Sequence, residues 1–226
     1  TVLDYGGGAG STYVDCIDSV DMSKVDYYIY DLPETIEIGK KAFLKSKVSP
    51  TPLFINNHNK IDSLDIVYLG SVLQYIQDYK KLLLSLIRKS PAFFLITDNF
   101  MGTHSTYATV QVNMAGRKMA YWIFQLNEIK EIFSSNGYHL IYSSKNHQPY
   151  HNFDNFPEKY QVHDSCNLLF QKTNSIGTFE DIIVGCTDTV ALNFNEDASV
   201  DDGSCEYYCP ESSDDIIDYS CIGDPH

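Results

Sequence analysis

Between Val2 and Ser11 the chain reads VLDYGGGAGS, with glycine at positions 6, 7, 8 and 10 directly behind an apolar run. Such a stretch cannot continue a strand, because glycine has no side chain to pack across a sheet. It turns the backbone tightly and lets a ligand approach the main chain closely. A helix is expected from about Ser11, with Ser11 or Thr12 as its N-cap. The first amides of a helix lack intrahelical partners, so a ligand carboxylate is held well there. Strand, glycine turn and helix therefore make one unit that is both structural and suited to a ligand.

The next 160 residues alternate between strand-like and helix-like runs, the mark of an α/β sheet. Tyr27 to Tyr30 reads as a second strand closed by Asp31, and Pro33 opens a helix with apolar positions at Ile36, Ala42, Phe43 and Leu44. Leu53 to Ile55 and Leu64 to Leu69 read as the third and fourth strands. Val72 to Ile87 is expected as one helix, with Leu73, Ile76, Leu83 and Ile87 on a stripe. Pro91 turns the chain into a fifth strand, Phe93 to Thr97. Asp98 to about Tyr121 has few clear periods and reads as an insertion on the substrate side. Leu126 to Ser135 reads as a helix stopped by Asn136-Gly137. Tyr138 to Tyr142 and Ser165 to Phe170 would pair as an antiparallel hairpin across a long loop.

Asp31 stands 21 residues after Gly10, at the end of the second strand. A carboxylate there can accept hydrogen bonds from both hydroxyls of a ribose. This supports a nucleoside ligand without choosing between NAD and S-adenosylmethionine (SAM). The dinucleotide fingerprint G-x-G-x-x-G fits poorly: its third glycine falls on Ser11 or on Tyr13. The spacing Asp4-x-Gly6-x-Gly8-x-Gly10 instead resembles motif I of class I SAM-dependent methyltransferases. LDIVYLGSVLQYI, Leu64 to Ile76, resembles their motif IV, and Gly137-Tyr138 matches a late element of one bacterial methyltransferase group. The resemblance covers about residues 1–171. It implies a Rossmann-like, mostly parallel sheet with a C-terminal antiparallel hairpin. It also implies SAM as cofactor, held by Asp4, Gly6, Gly7, Gly8, Gly10, Asp31 and Leu32, with Asn56 and Asn57 at the adenine edge. Gly70 and Ser71 would lie near the reacting methyl. The implied activity is O-methylation of a small molecule or a glycan precursor.

A general base for such a reaction would come from the insertion, where His104, Tyr107, Gln111 and Tyr121 are candidates and Asp98 and Asn99 end the fifth strand. Each also has a plainer reading as a loop or core residue. His147-x-x-x-His151 has the spacing of a helical metal pair, but Pro149 interrupts it, so no metal ligand is assigned.

The net charge of −14 is not spread evenly. Residues 1–172 hold all 16 Lys and Arg and 17 of the 30 acidic residues, whereas residues 173–226 hold 13 acids and no Lys or Arg. That step sets expected boundaries: a first domain over 1–172, a linker over 173–185 and an acidic module over 186–226. No basic patch suits duplex nucleic acid. The longest apolar run, Leu82 to Leu86, is broken by Ser85 and far too short to cross a bilayer. The chain opens directly in a strand-like run, and a preceding segment is expected.

Cys186, Cys205, Cys209 and Cys221 crowd the module, while Cys16 and Cys166 read as ordinary buried thiols. Beyond Lys172 no helical or strand period persists. GCTDTVALNFNEDASVDDGSCEY, Gly185 to Tyr207, resembles a GCTD…DDGSCxY unit of marine microbial surface proteins, which implies a Cys186–Cys205 disulfide. Asn193, Asn195, Asp197 and Asp201 alternate somewhat like a calcium loop, but Ala198 and Ser204 stand where glycine and glutamate belong. Four cysteines also admit zinc, at less regular spacing than usual. SAM favours the cytoplasm, where the chain is placed; disulfides favour an oxidising compartment. The rival to an enzyme is a catalytically silent scaffold in a binding or surface protein, with the tail as a calcium or adhesion module.

Overall fold

The computed structural model describes residues 1–114, 117–147, 152–173, 184–198 and 200–201. The chain divides into two units, Thr1–Ser175 and Ile176–His226. The first is a mixed α/β sheet flanked by helices. Strand β1 (Val2–Tyr5) lies between β2 (Tyr27–Tyr30) and β4 (Ile66–Gly70). β3 (Leu53–Ile55) borders β2, and β5 (Phe93–Gly102) borders β4. These five strands are parallel, with Tyr5 level with Tyr30 and Gly70 level with Thr97. β9 (Asp164–Lys172) runs antiparallel between β5 and β8 (Tyr138–His147), forming the expected terminal hairpin.

Helices cover both faces. On one, α1 (Ser11–Cys16) and α2 (Pro33–Lys45) pack Tyr13 and Phe43 against Tyr27 and Ile29. On the other, α3 (Tyr79–Ile87) and α4 (Leu126–Ser134) pack Leu83, Leu86, Ile129 and Phe133 onto Leu3, Val67 and Phe94. Phe133 stacks on Phe170 at 4.1 Å and meets Phe94 edge-on at 4.9 Å. This interlocking apolar layer holds the strand ends in register.

Several expectations are corrected. The cap of α1 is Gly10 at φ 95° with no side-chain bond, so Ser11 begins the helix instead of capping it. The expected helix over Val72–Ile87 splits into a 3₁₀ turn at Leu73–Tyr75 and α3. Gln74 turns its amide back onto the Ser71 hydroxyl at 3.0 Å, and the polar Gln77-Asp78 pair interrupts the stripe. β5 runs five residues past Thr97, and the insertion is a hairpin of β6 (Tyr107–Met114) and β7 (Arg117–Gln125). β7 joins the outer end of β5 in parallel, through Met101–Phe124 and Gly102–Gln125. Cys16 is only partly buried, whereas Cys166 is 3% exposed.

In the second unit, Val184–Gly185 and Val200–Asp201 pair as two short parallel strands, although the sequence shows no strand period there. Cys186 is buried, and its carbonyl accepts from the Asn195 amide. The Asn195 side chain accepts from the Asp197 amide at 3.1 Å, closing a local turn. Cys205, Cys209, Cys221 and most of the linker lie outside the described residues.

Candidate functional site

β1 has β2 on one side and β4 on the other, so connections leave its carboxyl end in opposite directions. In open α/β sheets ligands bind outside that switch point. The residues gathered there are the glycine loop after β1, Asp31 after β2 and Ser71 after β4.

The loop is built from committed contacts. Gly6 extends the ladder by donating to the Tyr30 carbonyl at 2.7 Å, and Gly10 donates to the Gly7 carbonyl at 3.1 Å. Gly6 has φ 80°, and a Cβ there would fall 2.3 Å from Val72 Cγ2. A Cβ at Gly7 would fall 2.4 Å from the Asp4 carboxyl group, so those two groups are in direct contact. Gly8 differs: at φ 60° a Cβ would meet no atom within 4 Å. The space above Gly8 is open, while Gly6, Gly7 and Gly10 are packed shut. α1 has only six residues, which makes its N-terminus a weaker anion site than the sequence suggests.

Asp31 is bound to this loop. Its Oδ2 accepts from the Gly8 amide at 2.9 Å and its Oδ1 from the Leu32 amide at 2.7 Å. Leu32 itself is 68% exposed beside it. Asp4, below the loop, is buried and accepts from the Tyr27 hydroxyl at 3.0 Å. Burial raises its pKa to about 6, with the Tyr27 bond lowering it and the Asp31 charge raising it.

After β4, Ser71 takes φ 50° and donates its amide to the Thr97 carbonyl at 2.9 Å. The same carbonyl accepts from Asn99 Nδ2 at 2.6 Å. Gln74 Oε1 and Asn99 Oδ1, both buried, have no hydrogen-bond partner among the described residues. A Cβ at Gly70 would fall 2.3 Å from the Tyr68 hydroxyl, so Gly70 carries close packing.

Asn56 and Asn57, with Tyr28, Ile36, Lys40 and Phe54, border a cavity of about 390 Å³ at the β3 edge. Asn57 also caps the following turn by accepting from the Asn59 amide at 3.0 Å. Near the strand ends, Tyr5 and Tyr30 lie 4.7 Å apart with His58 edge-on to both. Burial and the adjacent Tyr30 push the Tyr5 hydroxyl up to about 12.

The acid–base candidates separate. Gln111 reaches the turn after β4, where its Oε1 accepts from the Tyr75 hydroxyl at 3.1 Å. Tyr121 meets the Tyr75 ring edge-on at 5.3 Å. His104 and Tyr107 instead pack around Tyr160, and the Tyr107 hydroxyl donates to the Tyr160 carbonyl at 2.7 Å. His147 ends β8 in strand conformation and contacts Asp164 at 3.2 Å, while His151 lies outside the described residues. Among the described residues no three His, Cys, Asp or Glu side chains cluster. No sequence signal marks Phe153 and Phe156 as site residues, whereas Tyr75 stands in the VLQY element directly behind Ser71.

No family model matches the sequence, and no curated protein matches it. Solved structures do. A SAM-dependent methyltransferase from Methanosarcina mazei aligns with a TM-score of 0.54 at 11% identity, over 76% of this chain and 92% of its own. Magnesium protoporphyrin IX methyltransferase from Synechocystis, with bound SAM, gives 0.54 at 13% identity, over 76% and 69%. The 1,6-didemethyltoxoflavin-N1-methyltransferase of Burkholderia thailandensis, with its substrate and S-adenosylhomocysteine (SAH), gives 0.51 at 18%, over 76% and 71%. At such identities the likeness is one of fold: the chain has the Rossmann-like α/β fold that these SAM-dependent methyltransferases share.

Proposed function

We propose that the chain is a SAM-dependent methyltransferase that methylates an oxygen of a small molecule. One observation carries this reading: Asp31 is fastened to Gly8, and among the described residues no atom lies within 4 Å of a Cβ placed there. A carboxylate offers about four lone-pair positions. The Gly8 and Leu32 amides use two, which leaves two for the neighbouring hydroxyls of a ribose. Exposed Leu32 would cover one face of the base, and Asn56 and Asn57 would meet its edge. The loop from Gly6 to Gly10 would hold the methionine end. Because the Gly6, Gly8 and Gly10 amides are committed internally, main-chain contacts fall to Gly7 and Ala9. Asp4 supports the loop from below, and Gly70 and Ser71 border the reacting end.

SAM, when bound, supplies a methyl already activated on a sulfonium. The chain's task is to place an acceptor in line with it, and orientation alone lowers such barriers by ~7–11 kcal/mol in favourable cases. A hydroxyl acceptor must also lose a proton. We take Asp98 as the carboxylate that accepts it: it directly follows the last residue of β5 that pairs with β4, at φ 54°, is exposed, and its Oδ1 accepts from the Ser165 hydroxyl at 3.3 Å.

Thermal unfolding with added ligand tests the reading. A ligand at 100 times its Kd stabilises a fold by about 2.7 kcal/mol, which is roughly 5–10 °C for a domain of this size. SAM and SAH are expected to raise Tm in this way, and NAD to leave it unchanged. No shift at millimolar SAH, together with a calcium-dependent shift confined to residues 173–226, would favour the silent-scaffold alternative.

A further inference from the structure

We infer that the cavity between the β6–β7 hairpin and residues 152–156 is the acceptor site, and that it takes an uncharged, planar aromatic molecule bearing a hydrogen-bonding group. The inference rests on the methyltransferase reading for its word acceptor; the cavity and its chemistry do not.

The cavity encloses about 540 Å³, within the ~300–1,000 Å³ usual for small-molecule sites. Buried Tyr121, Ile123 and Phe153 form its apolar floor, and half-buried Phe156 stands as an apolar wall. Phe100 braces them from behind, 5.4 Å from the Phe153 ring and 6.4 Å from the Tyr121 ring. Such walls favour a flat ring, which aromatic side chains meet edge-on or offset. The polar groups on the lining are the amides Gln111, Asn152 and Asn155 and the hydroxyls of Thr109 and Tyr121. No described lining residue is charged, so a phosphate or carboxylate entering here would lose water without gaining a cation. A phosphate-bearing glycan precursor is thereby disfavoured. At the rim, Val110 and Val112 stand 59% and 62% exposed on the hairpin's outer strand. They lie on the face of β6 opposite Thr109 and Gln111, with Lys118 level with Val112.

The cavity also adjoins the motif IV turn. Cross-strand register puts Thr109 and Gln111 on the face of Tyr121. Gln111 and Tyr121 both touch Tyr75, four positions after Ser71. The Gln111 amide oxygen is taken by the Tyr75 hydroxyl, which leaves its nitrogen to donate to an acceptor carbonyl or hydroxyl.

Saturation-transfer NMR on the full chain, with SAH present, tests this with three probes: 2-naphthol, 2-naphthoate and UDP-glucose. Naphthol is expected to bind, naphthoate at least tenfold more weakly, and UDP-glucose not at all. Val112→Asp, a change at an exposed position, is expected to weaken naphthol at least tenfold and to leave SAH affinity within twofold. Thr109→Trp, at a half-buried position on the lining, should do the same. Equal binding of naphthoate or UDP-glucose, or naphthol binding indifferent to Val112→Asp, overturns the proposal. SAH affinity is read separately by calorimetry. Naphthol behaving as stated while SAH fails to bind would retain the aromatic site and sink the methyltransferase reading.

Discussion

The Gly8 amide donates to Asp31 Oδ2 across 2.9 Å, joining the glycine loop to the end of the neighbouring strand. This bond fixes a carboxylate at the mouth of the only loop position whose Cβ direction is empty among Gly6, Gly7, Gly8 and Gly10.

The glycines should therefore respond differently to substitution. Gly8→Ala strains a left-handed residue by ~1–2 kcal/mol and projects a methyl into open space. A fall in Tm of a few degrees is expected, with SAH affinity down more than tenfold. Gly6→Ala adds a collision with Val72, so a larger loss of Tm is expected, partly restored in Gly6→Ala/Val72→Ala. Calorimetric melting of the set checks this; equal behaviour of Gly6 and Gly8 would contradict it.

Asp4 gives a pH signature. Its folded pKa of about 6 lies above the ordinary 3.8, so the fold prefers the protonated form. Its contribution is most favourable below pH 4 and is lost as pH rises through 6, by on the order of 2–3 kcal/mol. Asp4→Asn keeps an acceptor for Tyr27 and removes the titration. The variant should gain stability relative to the parent between pH 4 and 6 and hold that gain above. Denaturant melts across pH 4–8 measure the difference, and a gap independent of pH would refute the assignment.

If Asp98 takes the acceptor proton, Asp98→Asn should lower kcat by roughly 10²–10⁴ and leave SAH affinity unchanged. The loss should be smaller at high pH, where the acceptor ionises by itself. Rate profiles with any identified hydroxyl acceptor would decide this. Rates unchanged in Asp98→Asn would remove Asp98 from the reaction.

Thiol labelling separates the two units. Burial raises the pKa of both thiols, so access decides: partly exposed Cys16 should alkylate in the native chain, and buried Cys166 only after unfolding. If Cys186 pairs with Cys205, Cys186 should alkylate only after reduction. Peptide mass spectrometry distinguishes these classes. Labelling of Cys186 in unfolded, unreduced protein would exclude the disulfide.

Much of the sheet was legible because its signals are local. VLDYGGGAG ends a strand with residues that tolerate positive φ, YYIYD ends the next with a carboxylate, and Pro33 begins α2 as its fixed φ requires. The hairpin was not legible. In β6 the valines at 110 and 112 face outward and exposed, while Thr109 and Gln111 share the face of Tyr121. The alternation is thus inverted relative to an ordinary half-buried strand. The break after Tyr75 was hidden because Leu73, Leu83 and Ile87 enter one core whether or not the helix is continuous. The Tyr75–Gln111 contact spans 36 residues, and no local period announces it.

The central claim is that Asp31 and the glycine loop together hold a nucleoside bearing a methionine end. Titration calorimetry of SAH into the parent chain and into Asp31→Ala tests it most directly. The account predicts one-to-one binding to the parent and at least tenfold weaker binding to the variant. Equal affinity in both, or no heat of binding to the parent at millimolar SAH, would contradict it.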